Sequence, residues 1–325
     1  VYSAHGPVLR TDHGTYAFRY PGMTEIRHVE QWYRMNLARS VEEWRDVMRM
    51  QSFASFNFVA ADKDGNIMFV HNSLTPVRKA GYDWTQYLPG ADSSLIWQET
   101  MAFDDLPAVL NPQSGWVLSA NHSPFLVTAS ADNPDPADYP DTAGFDARMS
   151  NRATRGLELF ATLGPISAAD FSAIKHDKRY SATSRPAGHV QMALELDYAQ
   201  RADMQTAQQT LADWDLNTDI ENTSAALGVC LVSSRAVVSS DPATAELIAS
   251  EFERCVALLT EKFGRVDPPW GEVNRHVRGE VNVPVGGGPD TLRAIYGRGL
   301  EEDGYLTNVA GDGLYYLISW DKEGK

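Results

Sequence analysis

The apolar residues of this chain change their spacing near residue 150, and that change restricts its fold more than any single motif does. Before it, short runs alternate apolar with polar residues between turn formers, the period-two signature of half-buried strands. After it, apolar residues return every three or four positions as far as Gly264, the stripe of an amphipathic helix. The pattern gives a strand-rich 1–125, a loop over 126–149, a helix-rich 150–264 and an irregular 265–325 with one late strand. Strands and helices kept apart in this way predict an α+β fold.

The clearest strand pair is Asn57–Ala61 with Ile67–Asn72, joined by Asp62-Lys63-Asp64-Gly65-Asn66, where Gly65 supplies the positive φ of the loop. That loop begins like an EF-hand, but its position 12 is Ser73 instead of a bidentate Glu, which rejects the EF-hand reading. A first hairpin is expected from Val8–Asp12 through the Gly14 turn to Tyr16–Tyr20, with His5 a structural residue at its start. Between the hairpins, Arg27–Ala38 reads as helical through Trp32, Met35 and Leu37. A second helix follows Ser40 as N-cap with Glu43 at N3, and Trp44, Val47, Met48 and Gln51 form its stripe. Residues 79–110 read as an ordered surface crossing.

In the helix-rich part, Gly164-Pro165 is a break and Ser167 with Asp170 a capping box. Helical patterns then cover Gln191–Trp214, Ser224–Val238 and Pro242–Phe263, the last ended by Gly264. Beyond it Gly286-Gly287-Gly288-Pro289 marks a loop, Leu314–Trp320 reads as a strand, and Asp321–Lys325 as the turn of a further hairpin.

Lys and Arg number 28 against 43 Asp and Glu, a formal charge of −15. No basic run approaches the footprint of a phosphate backbone, so nucleic acid is not an expected partner, and an acidic surface disfavours anionic membrane. No apolar stretch is long enough for a transmembrane helix. Cys230 and Cys255 read as buried thiols, with a mutual bridge as the alternative. Gly-x-Ser-x-Gly, His-x-x-x-His, Cys-x-x-Cys, Gly-x-Gly-x-x-Gly and the P-loop pattern are absent. A nucleophile elbow, a zinc site and a nucleotide cradle therefore have no sequence support, and no metal ligand is named. No signature pairs His5, His71, His122, His176, His189 or His276 with a Ser.

The stretch with chemical content is Asn-Pro-Gln-Ser-Gly-Trp-Val-Leu-Ser-Ala-Asn-His-Ser-Pro, residues 111–124. A turn feeds an apolar strand, Trp116–Ala120, which ends on Asn121. An Asn held at the mouth of a buried strand presents a neutral N–H donor, the group that stabilises an oxyanion where a carbonyl is attacked. The same residue also suits a plain Asx turn, and the residues alone leave both readings open.

This stretch resembles the large subunit of the penicillin acylase family, N-terminal-nucleophile amidohydrolases that include acyl-homoserine-lactone and cyclic-lipopeptide acylases. His5-Gly6-Pro7-Val8-Leu9, Asp62-Lys63-Asp64-Gly65-Asn66-Ile67, Asn151-Arg152 and Leu211-Ala212-Asp213-Trp214-Asp215 follow the family's order, and the likeness covers roughly residues 1–225. The resemblance implies a partial four-layer αββα sandwich with a helical insertion. It implies an N-acyl amide hydrolase acting through an acyl-enzyme on a β-lactam side chain, an acyl-homoserine lactone or a lipopeptide. Asn121 corresponds to the oxyanion-hole Asn, and Arg152 to the Arg that orients it and the nucleophile's amine. Phe53, Phe56 and Phe58 are candidates to line the acyl pocket.

Residue 1 is Val, so the Ser, Thr or Cys nucleophile of such an enzyme is absent from this chain. The expectation is a large-subunit piece that is inactive alone and partnered by a small subunit from the same precursor, in the periplasm or outside the cell. His122 departs from the amide side chain of some members. No cofactor is expected; Asp135, Asp138, Asp141 and Asp146 leave room for a structural calcium in the parent. The alternative is a non-catalytic binding or structural domain.

Overall fold

Asp62 shows how the first half is tied together. Its Oδ1 accepts from the Asp64 and Asn66 N–H groups (3.0 and 2.9 Å), closing the expected turn, and Oδ2 accepts from Val41 N–H at 2.9 Å. One carboxylate thus joins a hairpin to the start of a helix. This geometry comes from a computed structural model that describes residues 1–321. The chain forms two units, 1–149 together with the end of the chain from Trp320, and 150–319. The part of the expected final turn from Lys322 on lies outside the described residues.

In the first unit, β1 (Tyr2–Ser3), β2 (Gly6–Thr11) and β3 (Gly14–Ala17) make an antiparallel sheet whose hairpin closes at Thr11 and Gly14, as the sequence predicts. Then come α1 (His28–Met35) and α2 (Val41–Met48). Ser40 caps α2 by accepting from Glu43 N–H at 3.1 Å, and Glu43 reaches back to Arg39 N–H at 2.9 Å. A second antiparallel sheet has the order β4 (Ser55–Ala61), β5 (Ile67–Ser73), β6 (Ala108–Leu110). β6 lies in the stretch expected to be only a surface crossing. Three residues with one buried side chain carry too little period to be read as a strand.

The two faces of this sheet are covered differently. Phe58, Met68 and Val70 pack with Val41, Trp44 and Met48 of α2. Phe69 and Val109, on the opposite face, pack with Val127 and Val117. The alternation of side chains along β4 and β5 makes this division. Residues 111–128, which carry Asn121, therefore lie against the face away from the helices.

In the second unit, α3 (Asn151–Thr162), α4 (Ala168–Lys175), α5 (Arg185–Leu194), α6 (Ala202–Ala212), α7 (Ala225–Val232), α8 (Arg235–Ser239) and α9 (Ala245–Phe263) follow in order. The Ser167–Asp170 capping box is present, and Gly264 ends α9 in the left-handed conformation at φ 70°. α7 is apolar on every side and forms the centre, enclosed by Met204, Leu211, Ile248, Phe252, Leu259 and Trp270.

Two expectations fail here. Cys230 and Cys255 are joined in a disulfide linking α7 to α9, not held as separate thiols. The described part of the stretch 265–325, as far as residue 321, is more ordered than its glycines suggest, with α10 (Trp270–Val273), β7 (Asn274–Arg278), β8 (Val281–Pro284), β9 (Ile295–Arg298), α11 (Leu300–Asp303) and β10 (Leu306–Gly311). The sheet order is β8-β7-β10-β9, with β10 parallel to β7 and antiparallel to β9. The expected strand Leu314–Trp320 does not form; the last described strand is β10, and the apolar side chains from Leu314 to Ile318 are exposed. No helix among the described residues is long and apolar enough to cross a membrane.

Candidate active site

The Asn-Pro-Gln-Ser-Gly turn is built into the sheet edge. Asn111 exchanges backbone hydrogen bonds with the level of Ile67: its N–H donates to Ile67 O, and its side-chain Oδ1 accepts from Ile67 N–H, both at 2.9 Å. Its Nδ2 donates to Asn66 Oδ1 at 3.0 Å, and Gly115 takes φ 74° to complete the turn. The expected strand Trp116–Ala120 is not a ladder strand. Leu118 N–H donates to Val127 O at 2.7 Å and Trp116 O accepts from Thr128 Oγ1 at 2.8 Å, so the segment is held by a loop and a side chain.

Asn121 follows at φ 54°, in the left-handed region that Asn tolerates better than most residues, and it is exposed. Both neighbours are buried and fixed. His122 Nδ1 accepts from Ala120 N–H at 3.0 Å, which puts the ring proton on Nε2, where it donates to Leu126 O at 2.8 Å. His122 thus staples the loop on both sides of Asn121, and Ser123 N–H donates to Arg148 O at 3.1 Å.

Two residues overlooked in the sequence complete this arrangement. Asn57 of β4 and His71 of β5 are direct cross-strand partners, with His71 Nδ1 2.7 Å from Asn57 Oδ1. Asn57 Nδ2 donates to the His122 carbonyl at 2.9 Å. Burial lowers the pKa of His71 from 6.5 to about 4, so the ring is neutral near pH 7. The Phe145 ring meets its face edge-on at 5.2 Å. Ser55 Oγ lies 3.4 Å from His71 Nε2, a Ser–His pair that no sequence signature marked. Only the register of the hairpin could have revealed the Asn57–His71 pair.

Phe53, Phe56 and Phe58 do come together. Their ring centroids are 5.1 to 5.9 Å apart, and Trp32 of α1 stands 5.4 Å from Phe53 and 5.7 Å from Phe58. Phe53 and Phe58 are core residues, whereas Phe56 is 54% and Trp32 47% exposed, so the cluster has a buried base and an open aromatic rim.

Arg152 belongs to the second unit and Asn121 to the first. Arg152 lies in the first turn of α3, where Ser150 caps by accepting from Ala153 N–H at 3.2 Å. Its Nε donates to Asp290 Oδ1 at 3.1 Å, while Asp290 Oδ2 accepts from Asn151 N–H at 2.7 Å. Asn151 is buried, donates to Asp290 O at 2.7 Å and accepts from Ser181 N–H at 2.8 Å. Of the acidic loop residues, Asp135 caps a short turn at Ala137 N–H and Asp146 holds Arg148 in a bidentate pair. Among the described residues no group of three His, Cys, Asp or Glu side chains is placed to hold a metal ion.

The chain is 32% identical over 126 residues to penicillin G acylase from Escherichia coli, a match covering 38% of this chain and 15% of that protein. It also resembles the solved structure of a thermostable penicillin G acylase from Alcaligenes faecalis, with a TM-score of 0.54 at 19% identity, over 87% of this chain and 48% of that one. The chain thus spans about half the length of the solved relative and much less of the curated one. The α+β arrangement of helices and sheets is shared with that solved structure. Residues 1–325 match the penicillin amidase family throughout, and the chain belongs to that family.

Proposed function

We propose that the longer protein to which this chain belongs hydrolyses N-acyl amides through an acyl-enzyme, with the Asn121 carboxamide donating to the carbonyl oxygen as charge develops there. The observation that supports this most is the anchoring of Asn121 between two buried residues whose polar groups are already engaged. A donor fixed before the reaction needs little reorganisation when the oxyanion forms.

In this reading the chain is part of the large subunit, contributing strands and the helical insertion of an αββα sandwich. The N-terminal nucleophile and its α-amine base are supplied by the rest of the parent. Arg152 keeps the role the resemblance assigns it beside the nucleophile's amine, where a guanidinium favours the neutral, nucleophile-activating form. The exposed rings of Phe56 and Trp32, set on the buried Phe53 and Phe58, stand on the helix face of the sheet, opposite Asn121, so they offer an apolar acyl chain an aromatic wall where it passes round the β4 edge, with a small subunit from the same precursor closing it. The leaving amine is a β-lactam nucleus, a homoserine lactone or a lipopeptide amine. The Cys230–Cys255 disulfide fits an oxidising compartment, the periplasm or the exterior.

The test is hydrolysis of chromogenic N-acyl anilides of graded chain length by the processed full-length protein. Turnover is expected, and Asn121→Ala should lower kcat about 100- to 1,000-fold with little change in KM. An unchanged kcat in that variant rejects the reading.

A further inference from the structure

We infer that Asn57 and His71 are positioning residues for Asn121: a relay of two hydrogen bonds across β4 and β5 clamps the peptide that follows Asn121 and so fixes the carboxamide. The inference rests on the proposed role of Asn121 and extends it to two residues that have no part in the chemistry.

The relay has a definite direction. Asn57 Nδ2 donates to the His122 carbonyl, which fixes which end of the amide points at the loop. Asn57 Oδ1 is then left as an acceptor, and His71 Nδ1 at 2.7 Å must carry the proton it receives. The Nε2 lone pair of the neutral ring faces Ser55 Oγ, whose hydroxyl is the donor. Each polar group along the line His71, Asn57, His122 is matched in sense as well as distance. The two rings use opposite tautomers, Nδ1–H in His71 and Nε2–H in His122.

The device matters because of where it attaches. Asn121 occupies a left-handed conformation, which costs a non-glycine residue about 1 kcal/mol or more and persists only where neighbours enforce it. The ring of His122 holds Ala120 N–H and Leu126 O, and Ser123 N–H is held by Arg148 O. Asn57 adds a clamp on the carbonyl of the residue directly after Asn121, delivered from the most regular hairpin of the unit. Without His71 to hold Oδ1, the Asn57 amide is free to turn over and present oxygen to oxygen at the loop. An Asp at 57 would do the same permanently, since a carboxylate has no donor for the His122 carbonyl.

In the full-length protein, Asn57→Asp and His71→Ala should each lower kcat at least about tenfold while KM changes less than about threefold, as expected for a misplaced transition-state donor. His71→Gln, which restores an amide N–H, should recover most of the loss; a role in packing alone would not separate Gln from Ala in this way. Asn121→Ala in the same assay separates the two claims. If it leaves kcat unchanged, the acyl-transfer reading falls; if it lowers kcat while Asn57→Asp and His71→Ala do not, the relay falls. A readout independent of catalysis and of variants is the 15N spectrum of the His71 ring in the full-length protein. The relay requires the Nδ1–H tautomer, and the Nε2–H tautomer overturns it.

Discussion

His71 illustrates how much one residue's role depends on what its neighbours withhold from water. Its folded pKa, lowered by burial from 6.5 to about 4, means that the unfolded chain binds a proton in that window and the folded chain does not. Its contribution to stability is therefore complete above pH 6.5 and is lost progressively as the pH falls through about 4. Urea unfolding followed across that range should show a smaller slope with pH in His71→Gln than in the wild-type chain; equal slopes would contradict the assignment. Gly228 is a second residue with a readable consequence. A Cβ there would overlap the indole ring of Trp214, so Gly228→Ala should destabilise the second unit by about 1–3 kcal/mol, measured as a lower urea midpoint. Trp214 was visible in the sequence as part of a motif, but it lies just past the end of α6 and the glycine against which it packs lies in α7, and no local pattern joins the two. The same limit hid Gln31, wholly buried with Oε1 accepting from Ser52 N–H and Oγ at 2.8 and 2.6 Å. A polar residue at the centre of a core is legible only once its partners are in place.

Among the elements, local chemistry was the most legible. Ser40 and Ser167 accept from the expected backbone donors, Ser150 and Thr244 cap α3 and α9 in the same way without having been singled out, and the Asp62–Asn66 turn closes as its residues suggest. These signals lie within four residues of each other, so the sequence contains the whole interaction. Ser167→Ala should accordingly cost about 0.5–2 kcal/mol, seen as a lower unfolding midpoint of the second unit, and an unaltered midpoint would refute the capping role. Tertiary demands prevailed in α1, whose apolar residues point outward: Val29, Trp32 and Tyr33 are exposed while Gln31 is buried. Periodicity located the helix but did not tell which face is buried. β6 and the sheet of β7 to β10 were missed because their strands are short and their pairing is non-local. The opposite error occurred at Leu314–Trp320, where β propensity predicted a strand that has no pairing partner among the described elements.

For the whole molecule, the chain divides into its two units at residue 150, where the spacing of its apolar residues changes. The cysteines did not reveal their pairing, because a bridge closing 25 residues between two helices requires the helix packing to be known first. The double variant Cys230→Ser/Cys255→Ser should lose about 2–4 kcal/mol of unfolding free energy, and the same change should follow reduction of the wild-type chain. Loss of less than about 0.5 kcal/mol would mean that helix packing alone holds α7 against α9. Asn121, singled out as a strand end, is instead a left-handed residue on a loop whose two neighbours are held by hydrogen bonds. The most direct measurement is a crystal structure of the full-length protein with a slowly turned-over acyl amide trapped as the acyl-enzyme or its tetrahedral analogue. The account predicts Asn121 Nδ2 at about 2.7–3.1 Å from the former carbonyl oxygen. A carboxamide turned to solvent, with that oxygen held entirely by other donors, would contradict it.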